Sequence, residues 1–561
     1  MTVSAPDWQS LCPFWPDDVA QRYRAEGVWQ DETFFGLLTA GKAQFGAKKA
    51  LIDGDSTYRY DDLHDGALKL ACGLYDLGLR RGDRVVLQLP NSIAFVELMF
   101  ALFRLGVVPV LALPAHRDRE IGQFADFVQA RACIVPEHAG GNDMVAMAER
   151  VKAITPSVEH IIVLGDARDH VSLYDLRNRD GNPVAESGPW PMPDAEDVAC
   201  FQISGGTTGV PKLIPRRHME YLHNIRCATK ASGMDQSSRY LCVLPIAHNF
   251  PLACPGVLGT LSVGGTAVMA PDPGAETCFA LIDKHRINIT SLVPPLAIMW
   301  IEAAFSRGPL YSLRVLQVGG AKLNPSNARQ VAPRLGCKLQ QVLGMAEGLI
   351  CYTALDDDAE RIHTTQGAPM SEWDEVRVVR GDGTEAKPGE TGELQARGPY
   401  TIRGYYSMPE HNARAFSADG FYCTGDIVAR DPHGYISVEG RKKDQVNRGG
   451  EMIGVDEIED LLVGHPGVLD AAVVGRPDER VGERLCAFVI ASPGRKLKSH
   501  ELRRELGSAG IAGFKIPDEF IFVDAFPQTG VGKINKRSLR DLLKAQHFGE
   551  PQASKLEELA G

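Results

Sequence analysis

Ser204-Gly-Gly-Thr-Thr-Gly-Val-Pro-Lys212 is the stretch on which the reading of the whole chain turns. Its glycines let the loop curl until several backbone N–H groups converge, and such a nest holds an anion. The hydroxyls of Ser204, Thr207 and Thr208 add donors and Lys212 adds a positive charge, so Ser204, Gly205, Gly206, Thr207, Thr208, Gly209 and Lys212 read as a loop that grips a polyphosphate. An ordinary surface turn rich in Gly, Ser and Thr is the alternative these residues leave open. The loop is not a Walker loop, because Pro211 precedes the lysine and Leu213 stands where that motif needs Ser or Thr. The apolar run 198–203 just upstream predicts a short strand that feeds the loop.

Outward from the loop, strand-like and helix-like segments alternate. Residues 84–89, 107–113, 132–135 and 160–164 on one side, and 239–244, 289–293 and 313–318 on the other, are short apolar runs of strand type. Residues 57–60 alternate like a strand. Residues 61–77 then carry Leu63, Ala67, Leu70, Leu74 and Leu77 at helical spacing, closed by Gly78. This rhythm predicts stacked parallel sheets flanked by helices. The first 30 residues, rich in Trp, Asp and Pro, predict an extended lead-in. From about residue 375 the texture changes to short strands and turns, which predicts a β-rich subdomain. Beyond Gly440 a basic, Gly-containing segment leads into a further mixed region. The expected fold is therefore α/β: a large N-terminal domain of stacked parallel sheets plus a β-rich subdomain, with a small mobile α+β C-terminal domain. The expected boundaries are 1–440 and 441–561.

A chain of 561 residues exceeds a single core. The net charge of −11 argues against a nucleic-acid partner, whose footprint is basic. The twelve cysteines are scattered with no C-x-x-C pair, which fits buried small residues in a reducing compartment and neither a disulfide frame nor a zinc site. The N-terminus lacks the basic start and apolar run of a signal peptide. The most apolar region, 93–115, is interrupted by Glu97, Arg104 and Pro109, so it predicts a buried helix entering a buried strand and not a membrane span. A soluble, cytoplasmic protein is expected, with neither membrane nor nucleic acid as partner.

Further blocks follow in order: GMAEG at 344–348, GELQARGPYTIRGYY at 392–406, YCTGD at 422–426, GRKKDQVNRGGEMI at 440–453 and PQTGVGKI at 527–534. With the loop at 204–212 these six blocks resemble the adenylate-forming (acyl-activating) superfamily over nearly the full length. Within it, His248-Asn249-Phe250-Pro-Leu-Ala-Cys254 resembles the stand-alone aryl-acid ligases of siderophore biosynthesis.

The resemblance implies two steps. An aryl carboxylate attacks the α-phosphorus of ATP, giving an acyl adenylate and pyrophosphate. The acyl group then passes to the phosphopantetheine thiol of an aryl carrier protein on a separate chain. Attack of an anion on a polyanion needs charge neutralisation and alignment more than acid–base work. The resemblance implies that Ser204, Thr207, Thr208 and Lys212 hold the β- and γ-phosphates, with Glu347 holding Mg²⁺. Gly344, Met345 and Ala346 flank the nucleotide, while adenine rests on Gly319, Gly320, Ala321 and Val342. Asp426 and Arg441 hold the ribose. Lys533 bridges the substrate carboxylate and the α-phosphate. Lys443 takes the hinge position of the mobile domain, where many relatives have Asp, and Gly449 and Gly450 lie near the thiol tunnel. Leu343 and Ala346 depart from the aromatic and the Thr common in the superfamily.

For the acid, the resemblance implies that Asn249 bonds the ortho hydroxyl, Phe250 supplies an aromatic wall, and Gly320 and Leu349 complete the contacts. His248 either gates the pocket, counted with Lys533 as catalytic, or is a satisfied structural histidine. Cys254 stands where ligases for 2,3-dihydroxybenzoate tend to have Ser. A thiol is larger and a weaker donor than a hydroxyl, so salicylate is the expected acid, and Leu349, Ile350 and Cys351 also resemble the salicylate group. A 2,3-dihydroxybenzoate–AMP ligase and an aryl-CoA ligase remain as alternatives. A non-catalytic homologue would be expected to lack Lys533 or Glu347, and both are present. Arg503 and Arg504 are the expected basic patch for an acidic carrier.

Overall fold

The computed structural model describes residues 8–178, 190–204, 212–442, 444–448, 451–478, 481–509, 511, 513–530 and 532–546. Among these, two large sheets stack with helices between them. One has seven strands, in the order Leu213–Arg217, Val198–Ile203, Val108–Leu111, Arg84–Leu87, Ala132–Pro136, His160–Leu164 and Val171–Ser172. All its pairings are parallel except that of the two strands flanking the glycine-rich loop. The nine-stranded sheet is parallel from Lys49–Asp53 across to Lys338–Gly344, with antiparallel strands added at both ends. Parallel strands are covered on both faces, which is why 132–136 is apolar at every position and buried throughout.

The helix Ile93–Leu105 shows what lies between the sheets. Every residue in it but Ala94 is buried. It shares one core with Val85, Leu87 and Leu111 of the smaller sheet and with Leu51, Tyr240 and Met269 of the larger. A helix apolar all round must be buried on all sides. Ser92 caps its start by accepting from the Phe95 N–H at 3.2 Å, and Gly106 ends it in the left-handed conformation at φ 72°.

A four-stranded antiparallel sheet follows, from Glu375–Val379 to Ile436–Arg441. Beyond it a five-stranded sheet, built around Val468–Asp478 and Gly482–Ala491, packs against the helices Asp456–Val463, Ser499–Ser508 and Lys536–Gln546.

The extended lead-in expected for the first 30 residues is corrected. A 3₁₀ turn at Trp8–Leu11 and a helix at Asp17–Ala25 stand there. Aromatic residues give the reason: Trp29 packs 5.0 Å from Trp15 and 4.9 Å from Tyr23, centroid to centroid. The indole N–H groups of Trp15 and Trp29 donate to the Gly398 and Pro399 carbonyls. The helix is held by what it packs on, which local composition does not show.

Candidate active site

The strand Val315–Gly319 ends in the pair Gly319-Gly320. Gly319 lies opposite Val342 in the sheet, and a Cβ there would stand 3.1 Å from the Phe250 ring. Gly320 has φ +83°, and a Cβ on it would stand 2.7 Å from Cε of Lys533. The two glycines therefore admit an aromatic ring from one side and the lysine from the other. Ala321 follows, exposed. Lys533 rides a tight turn in which the Thr529 N–H donates to its carbonyl at 2.7 Å and its own N–H donates to Thr529 Oγ1 at 3.2 Å. That turn rests against the connections leaving one strand of each large sheet, since a Cβ on Gly530 would be 3.1 Å from Ala115 and one on Gly532 3.2 Å from Val293. Further contacts hold the C-terminal region in place: Lys322 pairs with Asp460 at 3.0 Å, and Asn324 Nδ2 donates to the same carboxylate at 2.8 Å.

The expected carboxylates meet near this lysine. Asp426 and Arg441 face each other on adjacent strands, Arg441 Nε donating to Asp426 Oδ1 at 2.8 Å. Burial pushes the Asp426 carboxyl above its usual range, while Arg441 and Lys533 pull it back down. Glu347 sits in a turn, its carbonyl accepting from the Ile402 N–H and its side chain accepting from the Tyr405 hydroxyl at 2.8 Å. Tyr422 lies against the same phenol oxygen at 2.9 Å. Lys212 stands over the Tyr405 ring, 5.9 Å from its centroid, and at the stem of the glycine-rich loop the Ser204 N–H donates to its carbonyl at 3.1 Å. Ala346, in the Glu347 turn, is tied by its carbonyl to Arg216 Nη1 at 2.9 Å. Gly344 is exposed and Met345 half-buried beside it. Residues 205–209, Lys443, Gly449 and Gly450 lie outside the described residues.

The expected acid contacts form a second group. His248 caps the short helix Asn249–Ala253, its Nδ1 accepting from the Phe250 N–H at 3.3 Å. Burial, reinforced by Lys533, pushes this imidazole down to about 3, so it is neutral at physiological pH. Asn249 Oδ1 accepts from the Tyr221 hydroxyl, and its Nδ2 donates to Cys254 Sγ at 3.2 Å. Burial pushes the Cys254 thiol up to about 12, so it too is neutral. Phe250 and Cys254 share an apolar cluster with Leu244, Val293, Val342, Ile350 and Tyr352.

Leu349 does not join them. It packs with Cys351, Val378 and Leu394 beneath the four-stranded sheet. Successive side chains of a strand alternate between faces, so Ile350 and Tyr352 take the pocket side that was expected of Leu349. Val342, expected beneath adenine, likewise sits in the acid-side cluster. Sequence reading missed Tyr221, Tyr352, Tyr405 and Tyr422. The last two were inside quoted blocks, whereas Tyr221 and Tyr352 carried no local signal.

A family model described as AMP-binding enzyme matches residues 38–406, and one described as AMP-binding enzyme C-terminal domain matches residues 457–533. The chain belongs to this family. The resemblance drawn from the six blocks is thus confirmed at family level. This AMP-binding enzyme is 53% identical over 537 residues to pyochelin synthase PchD of Pseudomonas aeruginosa, covering 95% of this chain and 96% of that protein. It is 48% identical over 530 residues to the 2,3-dihydroxybenzoate-AMP ligase of Bacillus subtilis, covering 94% and 97%. The solved apo structure of MbtA from Mycobacterium smegmatis superimposes with a TM-score of 0.75 at 40% identity, covering 96% of this chain and 100% of that one. Among the described residues, no helix is long and apolar enough to cross a membrane.

Proposed function

We propose that this AMP-binding enzyme activates salicylate with ATP, releasing pyrophosphate, and passes the salicyl group to the phosphopantetheine thiol of an aryl carrier protein on a separate chain, in the cytoplasm, for siderophore assembly. One observation carries the reading: Lys533 reaches over Gly320 to the junction between the Asp426–Arg441 pair and a neutral pocket holding Asn249 and Cys254. In the first step a carboxylate oxygen bonds to the α-phosphorus and the bond from that phosphorus to the bridging oxygen breaks, with the electron pair leaving on pyrophosphate. Lys533 stabilises the charge that gathers between carboxylate and α-phosphate. Asp426 and Arg441 hold the ribose. Lys212 and the loop it closes take the departing phosphates.

Glu347 fits Mg²⁺. One of its oxygens accepts from Tyr405, and among the described residues no group of three or more His, Cys, Asp or Glu forms a dedicated cage. Mg²⁺ is commonly held by one or two carboxylates plus substrate phosphates. Bound there, it would neutralise the pyrophosphate.

The thiol of Cys254, pushed up by burial and already taking an N–H from Asn249, suits the bare C3–H of salicylate better than a second ring hydroxyl. Such a pocket rejects an added hydroxyl by about 10² at most, and the Bacillus subtilis relative is named for 2,3-dihydroxybenzoate, so that acid is the second reading.

The test is incubation with ATP, Mg²⁺ and salicylate, with mass-spectrometric detection of salicyl-AMP, then addition of a phosphopantetheinylated aryl carrier protein or free coenzyme A. Salicyl-AMP followed by loading of the carrier is expected. Adenylate formation followed by transfer to coenzyme A alone would replace the carrier by the aryl-CoA alternative.

A further inference from the structure

Asn249 is the polar head of the acid pocket, and its amide is not free to turn. Gln202 Nε2 donates to the Tyr221 oxygen at 3.3 Å, so the phenol hydrogen is directed away from Gln202 and onto Asn249 Oδ1. With its oxygen taken, the amide turns its nitrogen the other way, where it donates to Cys254 Sγ at 3.2 Å. An amide nitrogen carries two N–H groups, and the thiol takes one. All four side chains are buried, Tyr221 at 0% exposure and Asn249 at 4%.

Tyr221 is itself fixed. The Arg216 guanidinium lies over its ring, 4.0 Å from the centroid. Arg216 is held in turn by both oxygens of Glu220, at 2.8 and 3.0 Å, in an ion pair with both side chains fully buried. Burial keeps the phenol far above its ordinary titration range, so it remains an O–H donor. The hydrogen-bond chain thus has one direction, set by residues that stand behind the pocket wall.

We propose that Tyr221, oriented by Gln202 and Arg216, is a positioning residue that locks Asn249 with an N–H toward the bound acid. The site then selects aryl acids whose ortho substituent accepts a hydrogen bond and rejects those whose ortho substituent only donates. This rests on the reading above that Asn249 meets the ortho group. Salicylate turns its hydroxyl hydrogen onto its own carboxylate and leaves an oxygen lone pair outward, matched to an N–H. Anthranilate turns one amino hydrogen inward and the other outward, and its nitrogen lone pair is drawn into the ring, so donor would face donor. Such mismatches at a buried hydrogen-bonding site are costly.

The experiment is ATP–pyrophosphate exchange with salicylate, anthranilate and benzoate, the last as internal reference because it has no ortho group. In the wild type, salicylate should exceed both of the others. In Tyr221→Phe, which keeps the ring but lets the Asn249 amide turn over, the salicylate-to-anthranilate ratio of kcat/KM should fall by about 10- to 10²-fold, mainly through KM, with anthranilate rising against benzoate. Parallel loss for all three acids, with ratios intact, would mean that Tyr221 only supports the fold, and the proposal would be wrong. Gln202→Met gives a second reading should Tyr221→Phe not fold: a smaller shift in the same direction supports the lock, and unchanged ratios overturn it. A wild type that does not prefer salicylate to benzoate would remove Asn249 as the ortho contact, a failure of the underlying reading visible before any variant is made.

Discussion

The two halves of the candidate site are built on different physics. On the side proposed for the nucleotide stand ionisable side chains from distant parts of the chain: Lys212, Glu347, Asp426, Arg441 and Lys533. Arg441 is half-exposed, and Lys533 arrives on a turn of the C-terminal region held by the contacts of Asp460 with Lys322 and Asn324. On the side proposed for the acid, His248 and Cys254 are neutral, and the hydrogen bonds run in a buried chain from Gln202 to Cys254. In the proposed function a polyanion is gripped by charge gathered from distant parts of the chain, whereas a small aromatic acid is sorted by a buried hydrogen-bond chain.

The largest expected effect tests the charge carried by Lys533. Lys533→Ala should slow adenylate formation by about 10²–10³, while transfer from pre-formed salicyl-AMP to the carrier is spared. Single-turnover assays of the two half-reactions check this, and equal loss in both would put Lys533 outside the first step.

Tyr405→Phe should come next. Removing a hydrogen bond to a charged carboxylate costs about 10- to 10²-fold, and here it should appear as a higher Mg²⁺ concentration for half-maximal exchange. A purely structural tyrosine would lower the maximal rate without moving that midpoint.

Cys254→Ser is the counterpart on the acid side. It should shift preference toward 2,3-dihydroxybenzoate by about tenfold, measured as a ratio of kcat/KM values, with the KM for ATP unaltered.

The smallest effect concerns pH. In the proposed function Asp426 accepts the ribose hydroxyls in its ionised form, and burial raises its carboxyl above the ordinary range. Protonation therefore sets in at higher pH than for a surface aspartate. The KM for ATP should rise as pH falls through that raised value and be flat above it; a KM for ATP that stays flat on acidification would mean that Asp426 does not hold the sugar in its ionised form.

The same contrast explains what could be read from sequence. The family was legible because glycine, charge and spacing coincide in short blocks, as in 204–212 and 527–534. The parallel sheets were legible because strands covered on both faces, such as 132–136, are continuously apolar. Of the cluster around Asn249, sequence marks only the contiguous part, from His248 to Cys254. Tyr221 sits on the helix His218–Ala231 among nine other buried residues, with nothing in its neighbours to mark it as a hydrogen-bond donor to Asn249. Leu349 is expected at the acid because it follows the glutamate block, but one step along a strand reverses the face, and it is Ile350 that packs with Phe250 and Cys254. The N-terminal helix Asp17–Ala25 was missed for a related reason: its aromatic neighbours hold it against residues 398–399, far along the chain.

The most direct measurement is ATP–pyrophosphate exchange across a panel of salicylate, 2,3-dihydroxybenzoate, benzoate and a mixture of amino acids. The expected order is salicylate first, 2,3-dihydroxybenzoate second, benzoate weak and the amino acids at background. Exchange led by 2,3-dihydroxybenzoate would contradict the role given to Cys254 while leaving aryl-acid activation in place. Exchange driven by an amino acid, or by none of the aryl acids, would contradict the assignment of the pocket itself.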